Sequence, residues 1–247
     1  MAEGTEKAGH AEESLTPSSG KKQYVKFAFY KVDPTWRQLP IQEREAGKKE
    51  FIAVLEEFSS DMLIMSYSLV GIRGDVDFLL WQVTERLEAF QELATQLYST
   101  GLGQYTQTPY SYLSMTKRSI YITRHRPEKE EGTRLTIQPK GARYVFVYPF
   151  VKTRSWYRLT KAARQGMMDE HIAVGHRYPS VKIHTSYSFG LDDQEFVLAF
   201  ETNKPDDFLD LVMDLRETEA SSYTLRDTPI FTCLSMGFRE MLESLGG

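Results

Sequence analysis

Tyr24-Val25-Lys26-Phe27 returns 120 residues later as Tyr144-Val145-Phe146-Val147 (144 − 24 = 120). Further segments recur at an offset of 120 or 121 residues: Trp36 and Leu39 as Trp156 and Leu159, Ser66-Tyr67-Ser68 as Ser186-Tyr187-Ser188, Thr108-Pro109 as Thr228-Pro229, and Leu113-Ser114-Met115 as Leu234-Ser235-Met236. Matches at one offset over this length indicate that the protein has two copies of one folding unit.

The two copies differ at a position that bears on function. Phe51 is an apolar residue on a predicted helix, and the residue 120 positions later is His171. We therefore predict that the first copy serves as a scaffold. The second copy then carries the chemistry, because it has an imidazole where its twin has a phenyl ring.

Each half is predicted to run strand, helix, strand, strand, helix, strand, from β-rich runs and from apolar residues at three- and four-residue spacing. The first half has predicted strands at 24–32, 63–72, 77–84 and 110–123, and helices at 41–59 and 87–98. The second half has predicted strands at 144–151, 181–189, 195–201 and 230–236, and helices at 160–178, 206–218 and 237–245. Helices on one face of such an antiparallel sheet form a ferredoxin-like unit. The predicted fold class is α+β, with tandem ferredoxin-like repeats that form a dimeric α+β barrel, because closure removes exposed strand edges.

Composition divides the sequence into four predicted segments. Residues 1–22 are rich in Gly, Glu, Ser and Lys, which predicts a disordered tail. Residues 23–123 form the N-terminal ferredoxin-like repeat, and the charged, proline-containing segment 124–140 forms a linker. Residues 141–247 form the C-terminal repeat.

The overall composition limits the classes of partner. A net charge of −4 argues against nucleic acid, since phosphate binding needs clustered Lys and Arg. No apolar run approaches the roughly 20 residues of a membrane span. Cys233 is the single cysteine, so no internal disulfide can form, and a reducing, cytoplasmic location is expected. The first 22 residues lack the apolar core of a secretory signal, in keeping with that location.

His171 is the histidine with the most informative spacing. It follows Met167 by four residues and precedes Val174 by three, which places it on the buried stripe of its predicted helix. A neutral imidazole there would offer a nitrogen lone pair to an apolar cavity, as an axial haem ligand does. The alternative is a core histidine whose ring bonds a backbone carbonyl, and the spacing leaves both open.

Tyr148 and Lys152 stand at the end of the first strand of the second half. Pro149 stops strand pairing there, which would put Tyr148 at the rim of a cavity. A tyrosine near a metal can be oxidised to a radical, and a nearby ammonium could steer carboxylates or supply protons. The alternative is a tyrosine packed in the barrel wall.

Three further residues could hold carboxylates. Arg134 and Arg216 offer planar forks of donors, and Ser221 adds a hydroxyl. Taken singly, each matches a surface charge or a helix-end hydroxyl better than a carboxylate-binding residue. Trp156 belongs to a group of aromatic residues that would fill a core or line a pocket for a large flat cofactor.

Four motifs together resemble the chlorite dismutase superfamily, which covers chlorite dismutases and coproheme decarboxylases. They are the stretch Tyr144-Val-Phe-Val-Tyr-Pro-Phe150, the pair Trp156-Tyr157, the helix segment Met168-Asp-Glu-His171 and the turn Gly190-Leu-Asp-Asp193. The resemblance runs from about Tyr24 to the C-terminus. It implies a tandem ferredoxin-like barrel, often pentameric, with haem in the C-terminal half and His171 as the iron ligand.

The resemblance also distinguishes between the two branches. Coproheme decarboxylases have a Tyr-Pro at this strand end and a lysine four residues after the tyrosine, which Tyr148 and Lys152 match. Chlorite dismutases instead use a distal arginine on the strand before the Gly-Leu-Asp-Asp turn. That strand has no arginine here, and a one-residue gap leaves Ile183 or His184 at the position.

Coproheme decarboxylases also bind the propionates of their substrate through residues that have counterparts here. By resemblance, Arg134 matches one propionate-binding arginine, while Arg216 and Ser221 match a second propionate clamp. Ile183 would leave the distal side of the pocket apolar.

The resemblance therefore implies peroxide-dependent oxidative decarboxylation of two coproheme propionates to give haem b, through a tyrosyl radical on Tyr148 assisted by Lys152. The expected partners are iron coproporphyrin and hydrogen peroxide, and a homo-oligomer is expected, with a pentamer favoured. The enzyme alternative is a chlorite dismutase that converts chlorite to chloride and O2 at haem b. The remaining alternative is a non-catalytic haem-binding protein of the same fold.

Overall fold

The computed structural model describes residues 22–119, 121 and 136–246. The predicted tail, except its last residue, and residues 124–135 of the predicted linker lie outside this range. The N-terminal repeat has four strands and two α-helices within it: β1 (Tyr24–Val32), α1 (Ile41–Phe58), β2 (Leu63–Ser68), β3 (Phe78–Thr84), α2 (Glu88–Ser99) and β4 (Thr106–Met115).

The C-terminal repeat follows the same order, and its short helix Arg154–Arg158 lies 120 residues after the 3₁₀ helix Pro34–Gln38 of the first repeat. Its elements are β5 (Tyr144–Lys152), α3 (Arg154–Arg158), α4 (Lys161–Gly175), β6 (Lys182–Tyr187), β7 (Phe196–Thr202), α5 (Pro205–Glu217), β8 (Thr224–Arg226), β9 (Phe231–Ser235) and α6 (Phe238–Glu243). β5 begins and ends 120 residues after β1, so the repeat seen in the sequence is also a repeat of structure. None of the helices in the described ranges is long and apolar enough to cross a bilayer.

The strands of each repeat pair in the order of a ferredoxin-like unit. The N-terminal order is β4-β1-β3-β2, and the C-terminal order is β6-β7-β5-β9. Antiparallel contacts of β2 with β9 and of β4 with β6 join the two sheets, so eight strands close into one barrel. The short β8 extends the end of β5. The predicted α+β barrel of two ferredoxin-like repeats is confirmed.

The largest differences from the predicted strand boundaries occur at β4 and β2. β4 begins at Thr106 rather than at residue 110, and it ends at Met115. It tolerates Pro109 because its pairing with β1 shifts register between Phe29 and Lys31. β2 ends at Ser68, because the next residues form a hydrogen-bonded turn in which Gly71 has a φ of 75°.

The inside of the barrel is an apolar core. Alternate residues of the strands point inward and are almost completely buried, including Phe27, Phe29, Trp81, Val147 and Phe231. The opposite face of each sheet carries the helices, since successive strand residues point to opposite faces. The barrel interior is therefore already filled, and each sheet has one helix-covered outer face.

The helix layers of the two repeats are packed to different degrees. α1 buries Gly47, Lys48, Phe51, Ile52 and Leu55, whereas α4 buries only Val174. A Cβ atom on Gly47 would lie 2.7 Å from the backbone nitrogen of Leu102, while one on Gly166 of α4 would have no neighbour within 4 Å. α1 is therefore buried more deeply than α4, although α4 also contacts α5 and the 3₁₀ turn Glu219–Tyr223.

The last helix of the protein contributes to this difference. Met241, Leu242 and Leu245 at α6 are buried in the same cluster as Phe51, over the outer face of the N-terminal sheet. The helix layer of the N-terminal repeat is thus completed by the C-terminal end of the sequence. The corresponding helix of the other repeat, α4, carries His171 and the candidate functional site.

Candidate functional site

His171 lies on α4, one turn before the buried Val174. Its Nδ1 atom is buried and has no hydrogen-bond partner. Burial lowers the pKa of His171 to about 4, and the positive charge of Lys152 acts in the same direction. The imidazole is therefore neutral near pH 7, and its Nδ1 atom is left without a partner inside the protein.

Lys152 ends β5 and extends its ammonium group into the same region. Its Nζ atom donates a hydrogen bond to the carbonyl oxygen of Ala220 at 2.7 Å and lies 4.6 Å from the centre of the Trp156 ring. Burial lowers the pKa of Lys152 to about 8, while the carboxylate of Glu195 acts in the opposite direction. Three of the predicted site residues, Lys152, Trp156 and His171, thus lie together.

Glu195 connects the strand end to the short helix α3. Its Oε2 atom accepts one hydrogen bond from the backbone N–H of Lys152 at 2.8 Å and another from the hydroxyl of Tyr157 at 2.5 Å. Burial, and then the hydrogen bond to Glu195, raise the pKa of Tyr157. Sequence reasoning missed Glu195, although its position two residues after the Gly190–Asp193 turn was a signal that could have pointed to it.

Tyr148 lies on the helix-covered face of β5, opposite Leu198 of β7. Its ring stacks on Phe200 at a centroid distance of 5.6 Å. Burial raises the pKa of Tyr148, the negative charge of Asp227 adds to the rise, and the positive charge of Arg216 opposes it. The phenol therefore keeps its proton at neutral pH, and Arg216 and Asp227 lie close enough to act on it.

Only some of the predicted carboxylate-binding residues lie near the Tyr148 phenol. Arg216 at the end of α5 is paired with Asp227, with Nη2 and Oδ2 2.5 Å apart, and the arginine side chain is 56% exposed. Ser221 lies in a 3₁₀ turn, Glu219–Tyr223, directly after the Ala220 that accepts from Lys152. Arg134 lies outside the described residues. Asp227 was not predicted, and no spacing in the sequence pointed to it.

Ile183 and His184 lie on opposite faces of β6. Ile183 is opposite Phe200, on the side of the sheet that carries Tyr148, and it is 51% exposed. His184 points into the barrel, where its Nε2 atom lies 2.6 Å from Glu201 Oε2 and its ring meets the edge of Trp81. The structure therefore brings Ile183, but not His184, to the face on which His171 and Tyr148 lie.

The residues of this site fit the cofactor that the sequence suggests. Within residues 22–119, 121 and 136–246, no three His, Cys, Asp or Glu side chains lie together as they would to hold a bare metal ion. A preformed iron porphyrin needs only one protein nitrogen, since its ring supplies the equatorial ligands. The unpartnered nitrogen of His171, the shallow burial of α4 and the aromatic rings of Tyr148 and Trp156 fit such a group.

Two ferredoxin-like repeats closed into one barrel define the class of dimeric α+β barrel proteins, and here the second repeat carries a buried, unpartnered histidine. The chain belongs to the chlorite dismutase family, because the model of that family matches residues 44–236. The family resemblance predicted from the sequence is thereby confirmed.

The relatives of this chain include proteins named for two different activities. The chain is 32% identical over 180 residues to a coproheme decarboxylase of Mycolicibacterium smegmatis, covering 72% of this chain and 75% of the relative. It is 28% identical over 211 residues to a chlorite dismutase of Ideonella dechloratans, covering 82% of this chain and 72% of the relative. Among solved structures, a mutant chlorite dismutase of Candidatus Nitrospira defluvii superimposes with a TM-score of 0.81 at 26% identity, covering 90% of this chain and 94% of the other.

Proposed function

We propose that this protein is a peroxide-dependent coproheme decarboxylase that converts two propionates of its substrate to vinyl groups and yields haem b. The unpartnered nitrogen of His171 beside Lys152 is the observation that carries the proposal. The named relative with 32% identity supports the same activity. The absence of an arginine from β6, Lys182–Tyr187, favours it over chlorite chemistry on the resemblance described above.

In this proposal His171 holds the iron on the proximal side through its neutral ring. Its lowered pKa keeps the nitrogen lone pair available throughout the physiological pH range. A bound iron porphyrin would supply the oxidising power of its reaction with peroxide. The protein provides orientation and electrostatics, as is usual for enzymes whose cofactor performs the difficult step.

Tyr148 acts as the residue that loses an electron and a proton and then removes a hydrogen atom from a propionate. Its buried phenol starts the cycle protonated, as a hydrogen-atom carrier must. Stacking on Phe200 restricts its ring to one orientation. Such restriction matters because misplacing a reacting group by about 1 Å can cost about 100-fold in rate.

Lys152 holds the reacting propionate or supplies its proton. Its ammonium group is oriented by the carbonyl of Ala220 and by the face of Trp156. Arg216 and Ser221, and Arg134 outside the described residues, bind the other propionates. Ile183, which is 51% exposed on the same face of the sheet, would contribute an apolar side chain to the cofactor pocket.

The reaction balances with one peroxide for each carboxyl group. A propionate carboxylate, hydrogen peroxide and one proton give a vinyl group, carbon dioxide and two water molecules. The carbon–carbon bond to the carboxyl group and one C–H bond of the propionate break, and a carbon–carbon double bond forms. The propionate is oxidised by two electrons and the peroxide is reduced by two.

Ferric coproporphyrin III titrated with hydrogen peroxide and followed by mass spectrometry tests the proposal. We expect two successive mass losses, each corresponding to carbon dioxide and two hydrogen atoms, and a final mass equal to that of haem b. An unchanged porphyrin mass under peroxide would refute it. Oxygen release from chlorite by the protein loaded with haem b would instead assign it to chlorite chemistry.

The predicted oligomeric state and cellular location form part of this proposal. The pentamer favoured by the resemblance and the cytoplasmic location stay predictions. Size-exclusion chromatography with light scattering measures the first, and fractionation of the source cell measures the second.

A further inference from the structure

Arg164 lies on α4 seven residues before His171, which is two turns and about 10 Å along the helix axis. Seven residues bring the two side chains to the same side of the helix, because seven steps of 100° nearly complete two turns. The Nε atom of Arg164 is buried and has no hydrogen-bond partner. One face of α4 therefore carries two buried nitrogen atoms without hydrogen-bond partners, Nε of Arg164 and Nδ1 of His171.

The duplication shows what an arginine at this position does when a partner is present. Arg44 lies 120 residues before Arg164, seven residues before Phe51 on α1. Its Nε atom is buried without a partner, as that of Arg164 is, but its Nη1 atom donates a hydrogen bond to the carbonyl oxygen of Gly246 at 3.1 Å, beyond the end of α6. In the N-terminal repeat, therefore, the protein itself fills the space beside the helix and provides an oxygen acceptor for the guanidinium.

The C-terminal repeat has the arginine without the acceptor. No hydrogen bond or ion pair of the Arg164 side chain occurs in the part of the protein that the structure describes. We propose that Arg164 binds a propionate carboxylate of the porphyrin that His171 holds, in the place that the Gly246 carbonyl occupies for Arg44. This inference rests on the proposed function, to which it adds a carboxylate-binding residue on the proximal side of the porphyrin.

The chemistry of the two groups supports a carboxylate as the partner. A guanidinium has five donors and no acceptor, so only an oxygen-rich or anionic group can satisfy it. Arginine pairs with carboxylates through two parallel hydrogen bonds, which also fixes the rotation of the ligand. The separation of Arg164 from His171 along the helix is comparable with that between the centre of a porphyrin and its propionate ends.

Equilibrium binding of two porphyrins tests the inference, with fluorescence quenching of the protein as the readout. The probes are ferric coproporphyrin III and its tetramethyl ester, which has the same ring without ionised carboxylates. We compare the full-length protein, Arg164→Ala, Arg164→Lys and the matched control Arg44→Ala. Thermal unfolding of each apoprotein verifies that the variants are folded.

We expect Arg164→Ala to weaken coproporphyrin binding about 10-fold or more, which is the usual effect of losing a charge-assisted hydrogen bond. Arg164→Lys should recover part of the loss, while Arg44→Ala should leave binding unchanged. Binding of the tetramethyl ester should be the same for all four proteins.

Two results overturn the inference. Unchanged coproporphyrin affinity in Arg164→Ala would show that the arginine has no porphyrin carboxylate as its partner. Equal loss for coproporphyrin and for its ester would show a general effect on the cavity. Either result leaves the proposed function standing if the wild-type protein still decarboxylates coproheme, whereas wild-type protein that binds coproheme without decarboxylating it contradicts the proposed function alone.

Discussion

Phe51 and His171 occupy equivalent positions on α1 and α4, yet only the phenyl ring is completely enclosed by protein. Phe51 has no exposed surface and meets Phe78 edge to face at 6.0 Å. His171 keeps a buried ring nitrogen without a partner on a helix that buries a single residue. The same helix position thus serves the core in one repeat and a candidate ligand site in the other.

Replacing His171 by the residue of its twin should separate binding from folding. We expect His171→Phe to lose the Soret shift that reports iron–imidazole ligation when coproheme is added, while the circular dichroism of the apoprotein stays unchanged. The reciprocal variant, Phe51→His, should retain coproheme binding and lose about 3 kcal/mol of stability, because it removes a buried aromatic side chain. Ligation that persists in His171→Phe would contradict the assignment.

The same variant should change the pH dependence of stability. Burial lowers the pKa of His171 from 6.5 to about 4, so between these values the unfolded protein binds a proton that the folded protein does not. The free energy of unfolding of the wild-type apoprotein should therefore fall as pH drops through this window, by up to about 3 kcal/mol more than that of His171→Phe. Urea unfolding at several pH values measures the difference, and parallel curves would be the contrary result.

Removing the phenol of Tyr148 should abolish chemistry without abolishing binding. Tyr148→Phe keeps the ring that stacks on Phe200, so coproheme affinity should stay within about twofold. Decarboxylation should fall by at least about 100-fold, the scale for loss of a group in the chemical step. Tyr144→Phe is the matched control, since Tyr144 lies on the same strand and the same face. Mass spectrometry of the porphyrin after peroxide addition measures the decarboxylation, and fluorescence quenching measures the affinity.

The ammonium of Lys152 should set an alkaline limit to activity. Since its pKa is about 8, the charged form predominates below that pH and is lost as pH rises through it. We expect kcat/KM for coproheme, which reports the free protein, to decline above about pH 8. Lys152→Arg should remove this limb because a guanidinium stays charged. A wild-type profile that stays level up to about pH 10 would be inconsistent with a role for the charge.

Glu195 should influence activity through Lys152. Its negative charge raises the pKa of Lys152 against the effect of burial, so Glu195→Gln should move the alkaline limb to lower pH. Tyr157→Phe removes the hydrogen bond to Glu195 but keeps the charge, so its limb should not move. The pH profiles of kcat/KM distinguish an electrostatic role from a structural one, because equal shifts in both variants would exclude the charge as the cause.

Asp227 should compete with substrate for Arg216. The two side chains form an ion pair at 2.5 Å, and an exposed pair of this kind contributes less than about 1 kcal/mol. Asp227→Asn should therefore tighten coproheme binding by up to about fivefold. Glu92→Gln, which breaks the Arg86–Glu92 pair of the N-terminal repeat, is the control and should leave affinity unchanged. Weaker binding in Asp227→Asn would show that the pair instead positions Arg216.

The fold and the central residue of the candidate site could be predicted from the amino-acid sequence. The 120-residue offset predicted two ferredoxin-like units, because a repeated order of strands and helices has few ways to bury its apolar faces. The same offset singled out His171 by contrast with Phe51. It also relates Arg164 to Arg44, a comparison that becomes informative only once the partner of Arg44 is known.

The three-dimensional structure was needed to learn which residues share a face and which have partners. Strand alternation moved His184 into the barrel and left Ile183 outside, since a shift of one residue reverses the direction of a side chain. Glu195, Ala220 and Asp227 contact the predicted residues across intervening segments of 10 to 67 residues, and no local spacing encodes such contacts. The deeper burial of α1 than of α4 reflects the packing of α6 on the N-terminal repeat, because packing density is a property of the assembled layers rather than of any one segment.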